Sequence, residues 1–407
     1  MTDTVLPEAG SDVRAFPTPR RCPFDPAAEY AELRERAPVA KVTLPTGGTA
    51  WLVTGHALVR QILADPRVSS DRTLPGCPRL VPVPPAALRP ATTPLIALDP
   101  PEHTTHRRMV TNEFTVKRIQ GMRGRIQEIV DERIDAMLEL PGRADLMEAL
   151  AVPVPAMVIC ELLGVAYEHR ETFTRITETL VGAGSTPAQV GAAMAETRVF
   201  LGELVAAKEK APEQDLISRL IVRYRETGEY DAERVISTAM VLLNAGHETA
   251  TSMIGLGTVA LLEHPEQLAA LRADPALLPQ AVEELLRYFS VADLATFRTA
   301  TEDIELGGVL IRAGEGLIAA GGAANRDPRQ FEDPEVLDIH RSSRQHVAFG
   351  HGIHQCIGQN LARLELEIAY GTLLRRVPTL RLDAAAAELP YKYQGLLYGV
   401  RSVPVAW

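Results

Sequence analysis

A mainly α fold with small β-sheets is what this sequence predicts, on three observations. Apolar residues recur at helical spacing through long stretches, the longest over residues 231–263. Segments with strand character are short and few, at 49–54, 303–306, 309–311, 316–320 and 393–405. No repeat and no linker interrupts the 407 residues, of which 46% are hydrophobic and 23% charged, ordinary globular values. The expected organisation is a loose, proline-bearing arm over 1–20 and a single domain over 21–407.

In chain order, residues 26–36 read as a short helix, 49–54 as a strand and 56–65 as a second helix. Prolines crowd residues 73–101. Each removes an N–H donor and fixes φ, so a long ordered loop or a flexible lid is expected there. Residues 113–140 and 144–163 read as amphipathic helices, and 170–210 as two helices joined near 182–187. Asp231 is a good N-cap for the longest helix. At 1.5 Å per residue that helix is roughly 50 Å long and can cross the whole domain.

The formal net charge of −10 argues against a nucleic-acid partner, which needs a basic footprint. Cys22, Cys77, Cys160 and Cys356 show no paired spacing, so free thiols in a reducing cytoplasm are expected. The N-terminus lacks a signal pattern, and no run of about 18 uncharged apolar residues predicts a membrane span.

The chemistry concentrates at one cysteine. Residues 346–363 form a glycine-rich loop around Cys356, followed by a helix whose apolar face carries Leu361, Leu364, Ile368, Leu373 and Leu374. Cys356 then sits just before or within the first turn, where unpaired N–H groups and the helix dipole favour thiolate. A lasting thiolate needs a partner, and an iron centre is one. Gly350, Gly352 and Gly358 let backbone approach a flat ligand, and Phe349 supplies an aromatic wall. A thiolate wrapped in this way is how a protein holds haem by sulfur. Three other readings are weaker. A lone cysteine is commonly a small buried hydrophobe. His346, His351, His354 and Cys356 could hold zinc, but their spacing is compressed and no second Cys-x-x-Cys pair exists. Gly350-His351-Gly352 hints at a dinucleotide loop, but Gln355 occupies the third glycine position.

A second signal lies in the middle of the long helix. Leu242 to Thr251 interrupts an apolar run with a glycine, an acid and a hydroxyl. His247-Glu248 opens the zinc-protease pattern His-Glu-x-x-His, but position 251 is threonine, so one ligand is missing. Oxygen activation fits better. Thr249 stands four residues after Ala245, so its hydroxyl can bond the Ala245 carbonyl and open the helix locally. Gly246 leaves room for a small ligand, and Glu248 could relay protons. The plain alternative is a threonine that only satisfies a buried helix.

Phe349, Gly352, His354, Cys356 and Gly358 complete the pattern Phe-x-x-Gly-x-His-x-Cys-x-Gly, and this stretch resembles the haem-binding loop of the cytochrome P-450 family. The run Ala245-Gly246-His247-Glu248-Thr249 resembles the family's Ala/Gly-Gly-x-Asp/Glu-Thr; Ala250 stands where the family often has Thr or Ser. The resemblance runs from about Cys22 to Trp407 and is greatest to soluble actinobacterial members that hydroxylate secondary metabolites and drugs. It implies the cytochrome P-450 fold, with haem b (iron protoporphyrin IX) between the long central helix and the cysteine loop. It implies Cys356 as the iron ligand and Thr249 and Glu248 as catalytic residues. Haem propionates would lie on His103, Arg107, Arg298 and His354, with Phe349, Gly350, Ala245 and Gly358 also against the cofactor. Glu284 and Arg287 would form a buried pair behind the loop, completed by Arg341. The implied substrate pocket takes Leu242, Ala245, Thr249, Leu294, Ala295, Leu396 and Leu397.

The activity so implied is insertion of one atom of dioxygen into a C–H or C=C of a lipophilic small molecule, in secondary metabolism or xenobiotic oxidation. The chain has no dinucleotide fingerprint, so a ferredoxin and ferredoxin reductase are the implied electron source, with Arg108 and Arg363 as candidate docking contacts. Two alternatives stand beside this. A peroxide-driven peroxygenase would use the same loop, but the acid–threonine pair argues against it. A non-catalytic haem-thiolate gas sensor would need an output domain, and the sequence shows none.

Overall fold

The computed structural model describes residues 14–80, 92–166, 169, 175–176, 179, 186–293, 296–393 and 397–407. Its centre is the helix Ala232–Glu263, 32 residues long and begun by Asp231, whose carboxylate accepts the Glu233 N–H at 3.0 Å. Every residue from Ala250 to Leu261 is buried, so this half of the helix is core on all sides. The helices Pro153–Leu163, Pro187–Lys210 and Gln359–Arg376 pack directly on it, and Arg123–Leu138 packs behind two of these. Two glycines let neighbours cross closely. A Cβ on Gly257 would lie 2.1 Å from Tyr370 Oη, whose hydroxyl donates to the Met253 carbonyl. A Cβ on Gly246 would lie 2.9 Å from Ile159 Cδ1. Gly246 therefore serves helix packing, and the room for a small ligand expected beside it is taken by Ile159.

The largest sheet has six strands in the spatial order Arg14–Ala15, Val39–Thr43, Thr49–Val53, Gly316–Ala319, Phe297–Ala300 and Val68–Ser69. Its inner register pairs Arg298 with Leu317, which fixes where the Arg298 side chain leaves the sheet. A three-stranded sheet joins Arg381–Leu382, Pro404–Ala406 and Arg143–Asp145, and Ile304–Leu306 pairs with Val309–Ile311.

The structure departs from the sequence reading in four places. Arg14–Ala15 pairs in parallel with Val42 and Thr43, and Phe16 is core, so part of the arm expected to be loose over 1–20 is built into the sheet and core. Residues 113–140 are not one helix: Val116–Gly121 and Arg123–Leu138 are divided at Met122, whose N–H bonds the Ile119 carbonyl three residues back. Residues 144–163 begin as strand, because Arg143–Asp145 finds an edge at Pro404–Ala406, far off in sequence. Met147–Ala151 is then a π turn, and the α-helix starts only at Pro153. Finally, 393–405 is not a continuous strand; Tyr391 and Val400 form one antiparallel bridge and regular pairing returns at Pro404. Much of the first helix expected within 170–210, and residues 81–91 of the proline-rich stretch, lie outside the described residues. Among the described residues no helix is long and apolar enough to cross a membrane.

Candidate active site

The cysteine loop is held from behind by buried charge. Glu284 and Arg287, one turn apart on the helix Leu278–Phe289, have no exposed side-chain surface. Their two parallel bonds are 2.7 and 2.8 Å. Arg287 also donates to the Asn325 and Pro334 carbonyls, each at 2.8 Å. Glu284 accepts the Asp338 N–H at 3.0 Å, the Ser343 hydroxyl and Arg341 Nε at 3.2 Å, so Arg341 does complete the cluster. Asn325 carries the link forward: its amide donates to Ser290 Oγ, and its oxygen accepts the Val347 N–H at 2.7 Å, where the cysteine loop begins.

Within the loop, Gly350 and Gly352 take φ of 69° and 72°, a region that favours glycine. Gly352 is doubly constrained, since a Cβ there would meet the Leu63 carbonyl oxygen at 2.2 Å. The Cys356 N–H bonds the Phe349 carbonyl at 2.8 Å, closing the loop. Gly358 has an ordinary φ of −80° and caps the helix Gln359–Arg376, so Cys356 lies just outside the first turn. The N–H groups of Gly358 and Gln359, with the charges of Arg107 and Arg363, favour its thiolate; burial outweighs them and pushes the thiol up. A cation bonded to sulfur would reverse that balance.

A second loop-side cluster was not foreseen. Glu283 accepts His346 Nε2 at 3.0 Å and Arg363 Nε, while the Arg363 guanidinium lies 4.7 Å over the Phe349 ring. Burial alone would raise the Glu283 carboxyl, but these two donors bring it down to about 2. Arg363 is thus turned inward to steady Phe349 and is not the open docking contact expected of it. Arg108 is exposed. Among the described residues no group of three or more His, Cys, Asp or Glu side chains could hold a metal ion, which removes the zinc reading of this stretch there.

Beside Cys356, three chain segments bring two histidines and two arginines together. The His103 ring packs against that of His354, tilted by 46° with ring centroids 4.1 Å apart. Both His103 ring nitrogens and His354 Nε2 are buried without a hydrogen-bond partner. Burial, then the charges of Arg298, His103 and Arg107, pushes His354 down to about 3. Burial and nearby Arg72 bring Arg298 down to about 10. Arg298 donates to its neighbour Phe297's carbonyl at 2.7 Å, and Arg107 to the Gln355 carbonyl. The nearest acid, Asp99, is already bonded to Ser69 and Ser70. A donor set of this kind suits added carboxylates, and the two propionates of a haem fit it.

On the long helix, the Thr249 hydroxyl donates to the Ala245 carbonyl at 2.7 Å. The helix runs unbroken through this bond, so the expected local opening is not seen. Away from its first and last turns, Ala245 is the one exposed residue of this helix. Leu242, on the same face, belongs to the buried core. Glu248 points toward the C-terminal segment, where Lys392 Nζ lies 3.5 Å from its carboxylate. His247 is a core histidine: it bonds the Val152 carbonyl at 3.0 Å, and burial brings it down to about 4. Leu397 is half-buried; Leu294, Ala295 and Leu396 lie outside the described residues.

The sequence model of the family described as Cytochrome P-450 matches residues 203–380. The chain is 49% identical to vitamin D3 dihydroxylase of Streptomyces griseolus, covering all of both chains. It is 48% identical to pentalenic acid synthase of Streptomyces avermitilis, over 99% of this chain and 100% of that one. The chain belongs to the cytochrome P-450 family. Among solved structures, the cytochrome P-450 MoxA of Nonomuraea recticatena superposes with a TM-score of 0.92 at 48% identity, covering 97% of this chain and 98% of that one. As a cytochrome P-450, the chain is a haem-thiolate monooxygenase that uses dioxygen, redox partners and a lipophilic substrate.

The Glu284–Arg287 pair gives this cytochrome P-450 a sharp stability test. Glu284→Ala leaves a guanidinium buried without its counter-charge, which costs about 3–5 kcal/mol. The exposed pair Arg312–Asp303 is screened by solvent and contributes little, so Arg312→Ala serves as the control. Urea unfolding of both variants should give a large loss for the first and almost none for the second.

Proposed function

We propose that this cytochrome P-450 hydroxylates, or epoxidises, a lipophilic small molecule in secondary metabolism or xenobiotic oxidation, with haem b held by Cys356. The observation that carries the assignment is the set His103, His354, Arg107 and Arg298, in which both His103 ring nitrogens and His354 Nε2 have no hydrogen-bond partner, gathered beside Cys356, whose loop the Glu284–Arg287 cluster fixes. In this reading Cys356 Sγ is the iron ligand, and the two arginines and two histidines take the propionates. Phe349, Gly350, Gly358 and Ala245 lie against the macrocycle. When bound, the haem supplies the activation of dioxygen.

The chain's own part is to position substrate and govern protons. Thr249 Oγ1, anchored on the Ala245 carbonyl, holds a proton beside the accessible face of the long helix. The Glu248 carboxylate, about a third exposed and paired with Lys392, exchanges protons with solvent and passes them inward. Leu242, Leu294, Ala295, Leu396 and Leu397 orient the substrate by apolar contact. Vitamin D3, the substrate named for one relative, is a lipophilic molecule of the class assigned here. A ferredoxin and its reductase supply electrons at the face carrying Arg108. The free thiols Cys22 and Cys77 support a cytoplasmic location.

Three measurements test this reading. The CO complex of the reduced protein should show the strongly red-shifted Soret band of thiolate ligation, and Cys356→His should abolish it. Retention of that band in the variant would refute the assignment of Cys356. Thr249→Ala should keep consuming reduced nicotinamide and oxygen while product per nicotinamide falls by about tenfold or more, peroxide taking its place. Unchanged coupling would take Thr249 out of the mechanism. Arg108→Glu should lower the rate of reduction by ferredoxin and flatten its salt dependence; identical rates and salt slopes would remove Arg108 from the docking face.

A further inference from the structure

Phe349, whose carbonyl accepts the Cys356 N–H at 2.8 Å, is gripped by two side chains that share one acid. The Arg363 guanidinium carbon lies 4.7 Å from the centroid of the Phe349 ring. The His346 ring lies 5.7 Å from it, centroid to centroid, tilted by 48°. Glu283 joins the two. One of its oxygens accepts Arg363 Nε; the other accepts His346 Nε2 at 3.0 Å and Arg363 Nη2 at 3.2 Å. His346 is fixed at its second nitrogen too, since Nδ1 accepts the Ala348 N–H at 3.2 Å and the ring proton is left on Nε2 for Glu283. Arg363 Nη1 donates to Gln359 Oε1 at 3.0 Å. The Gln359 N–H is one of the groups that favour the Cys356 thiolate, and the Arg363 charge is another. The Glu283 and His346 side chains are buried, and 26% of the Arg363 side chain is exposed.

We propose that Arg363, held over Phe349 by Glu283, is a positioning residue that acts through Cys356 to set the electron affinity of the haem–thiolate centre. The inference rests on the reading that Cys356 Sγ holds the haem iron. Reduction adds one electron, supplied by the redox partner, and converts ferric to ferrous iron while the thiolate stays bound. The centre becomes more negative by one charge, and a positive charge fixed nearby favours that form. The same charge holds electron density on the sulfur and so restrains its donation to the iron. Arginine suits this task because it stays charged throughout the working pH range. An arginine free to swing into solvent would lose the effect to screening. Glu283 prevents that swing, and of the pair it is the guanidinium that meets Phe349 and the Gln359 turn. Stability alone would be as well served by apolar packing, because burying an arginine and a carboxylate carries a desolvation cost that their attraction only offsets. What the charged pair adds is a charge at a fixed place beside the sulfur.

The test uses the full-length, haem-loaded protein, its reduction potential read by spectral titration with dithionite and its Fe–S stretching frequency read by resonance Raman. Arg363→Met keeps the apolar stem and removes the charge. It should move the ferric–ferrous equilibrium about tenfold toward ferric, which is ~59 mV for a one-electron couple. It should also raise the Fe–S frequency, and Arg363→Lys should return both toward the parent. Glu283→Asp keeps every charge but draws the carboxylate back by one methylene. It should shift both readings in the same direction by a smaller amount, and add nothing when combined with Arg363→Met. Should Arg363→Met fail to bind haem, Glu283→Asp and Arg363→Lys carry the test. The red-shifted Soret band of the CO complex separates the two levels of the argument. Unchanged potential and frequency in variants that keep this band overturn the role of Arg363 and leave Cys356 as the ligand. A parent protein without the band overturns both. A lowered melting temperature at unchanged potential would make the cluster merely structural and also overturn the proposal. So would a Glu283→Asp shift that persists in full without Arg363.

Discussion

A carboxylate and a guanidinium with no exposed surface, Glu284 and Arg287, are the constraint on which the rest of the site depends. Neither charge can be removed alone without leaving the other stranded in low dielectric. Together they pin one irregular stretch of chain at four points: the Asn325 carbonyl, the Pro334 carbonyl, the Asp338 N–H and Arg341. Asn325 then grips Val347, and the cysteine loop departs from that fixed point. A loop of irregular backbone is placed by an ionic core, with Gly350 and Gly352 where positive φ demands them.

The cofactor face has the opposite character. There the chain gathers His103, Arg107, Arg298 and His354 from three elements and leaves them short of acceptors. Desolvation weakens the protonated state of each, so the cluster is unfavourable by itself and is relieved by incoming carboxylates. Cys356 shows the same logic with the sign reversed, a thiol that burial keeps protonated until a cation meets the sulfur. Charge that is unfavourable in the bare chain becomes the means of recognising the group that belongs there.

The parts legible from sequence were those set by local chemistry. The Asp231 cap, the Ala245–Thr249 spacing and the loop glycines at 350 and 352 follow from backbone rules that act over a few residues. The Glu284–Arg287 spacing showed that the two could meet, and family resemblance supplied the burial. What escaped was decided by contacts between distant residues. Gly246 looked like space and is filled by Ile159; Arg363 looked like surface and turns in to Glu283. Glu248 meets Lys392 because the C-terminal segment folds back across the long helix, which no helical periodicity reports. Arg143–Asp145 looked helical because its strand partner lies more than two hundred residues away.

That last pairing has a consequence for how the protein comes into being. Pro404–Ala406 is the middle strand of its sheet, flanked by Arg381–Leu382 and Arg143–Asp145, and Asp145 also accepts the Val403 N–H at 3.0 Å. The middle strand is made last. At a ribosome adding about 5–20 residues per second, Arg143–Asp145 waits on the order of ten seconds or more for its partner to be made. Until then, the edge of that strand and the start of the helical core behind it are open to water and to other chains. The nascent enzyme therefore passes through an interval in which these two strands have not yet met, and it is during that interval that chaperone capture or misassembly has its opportunity.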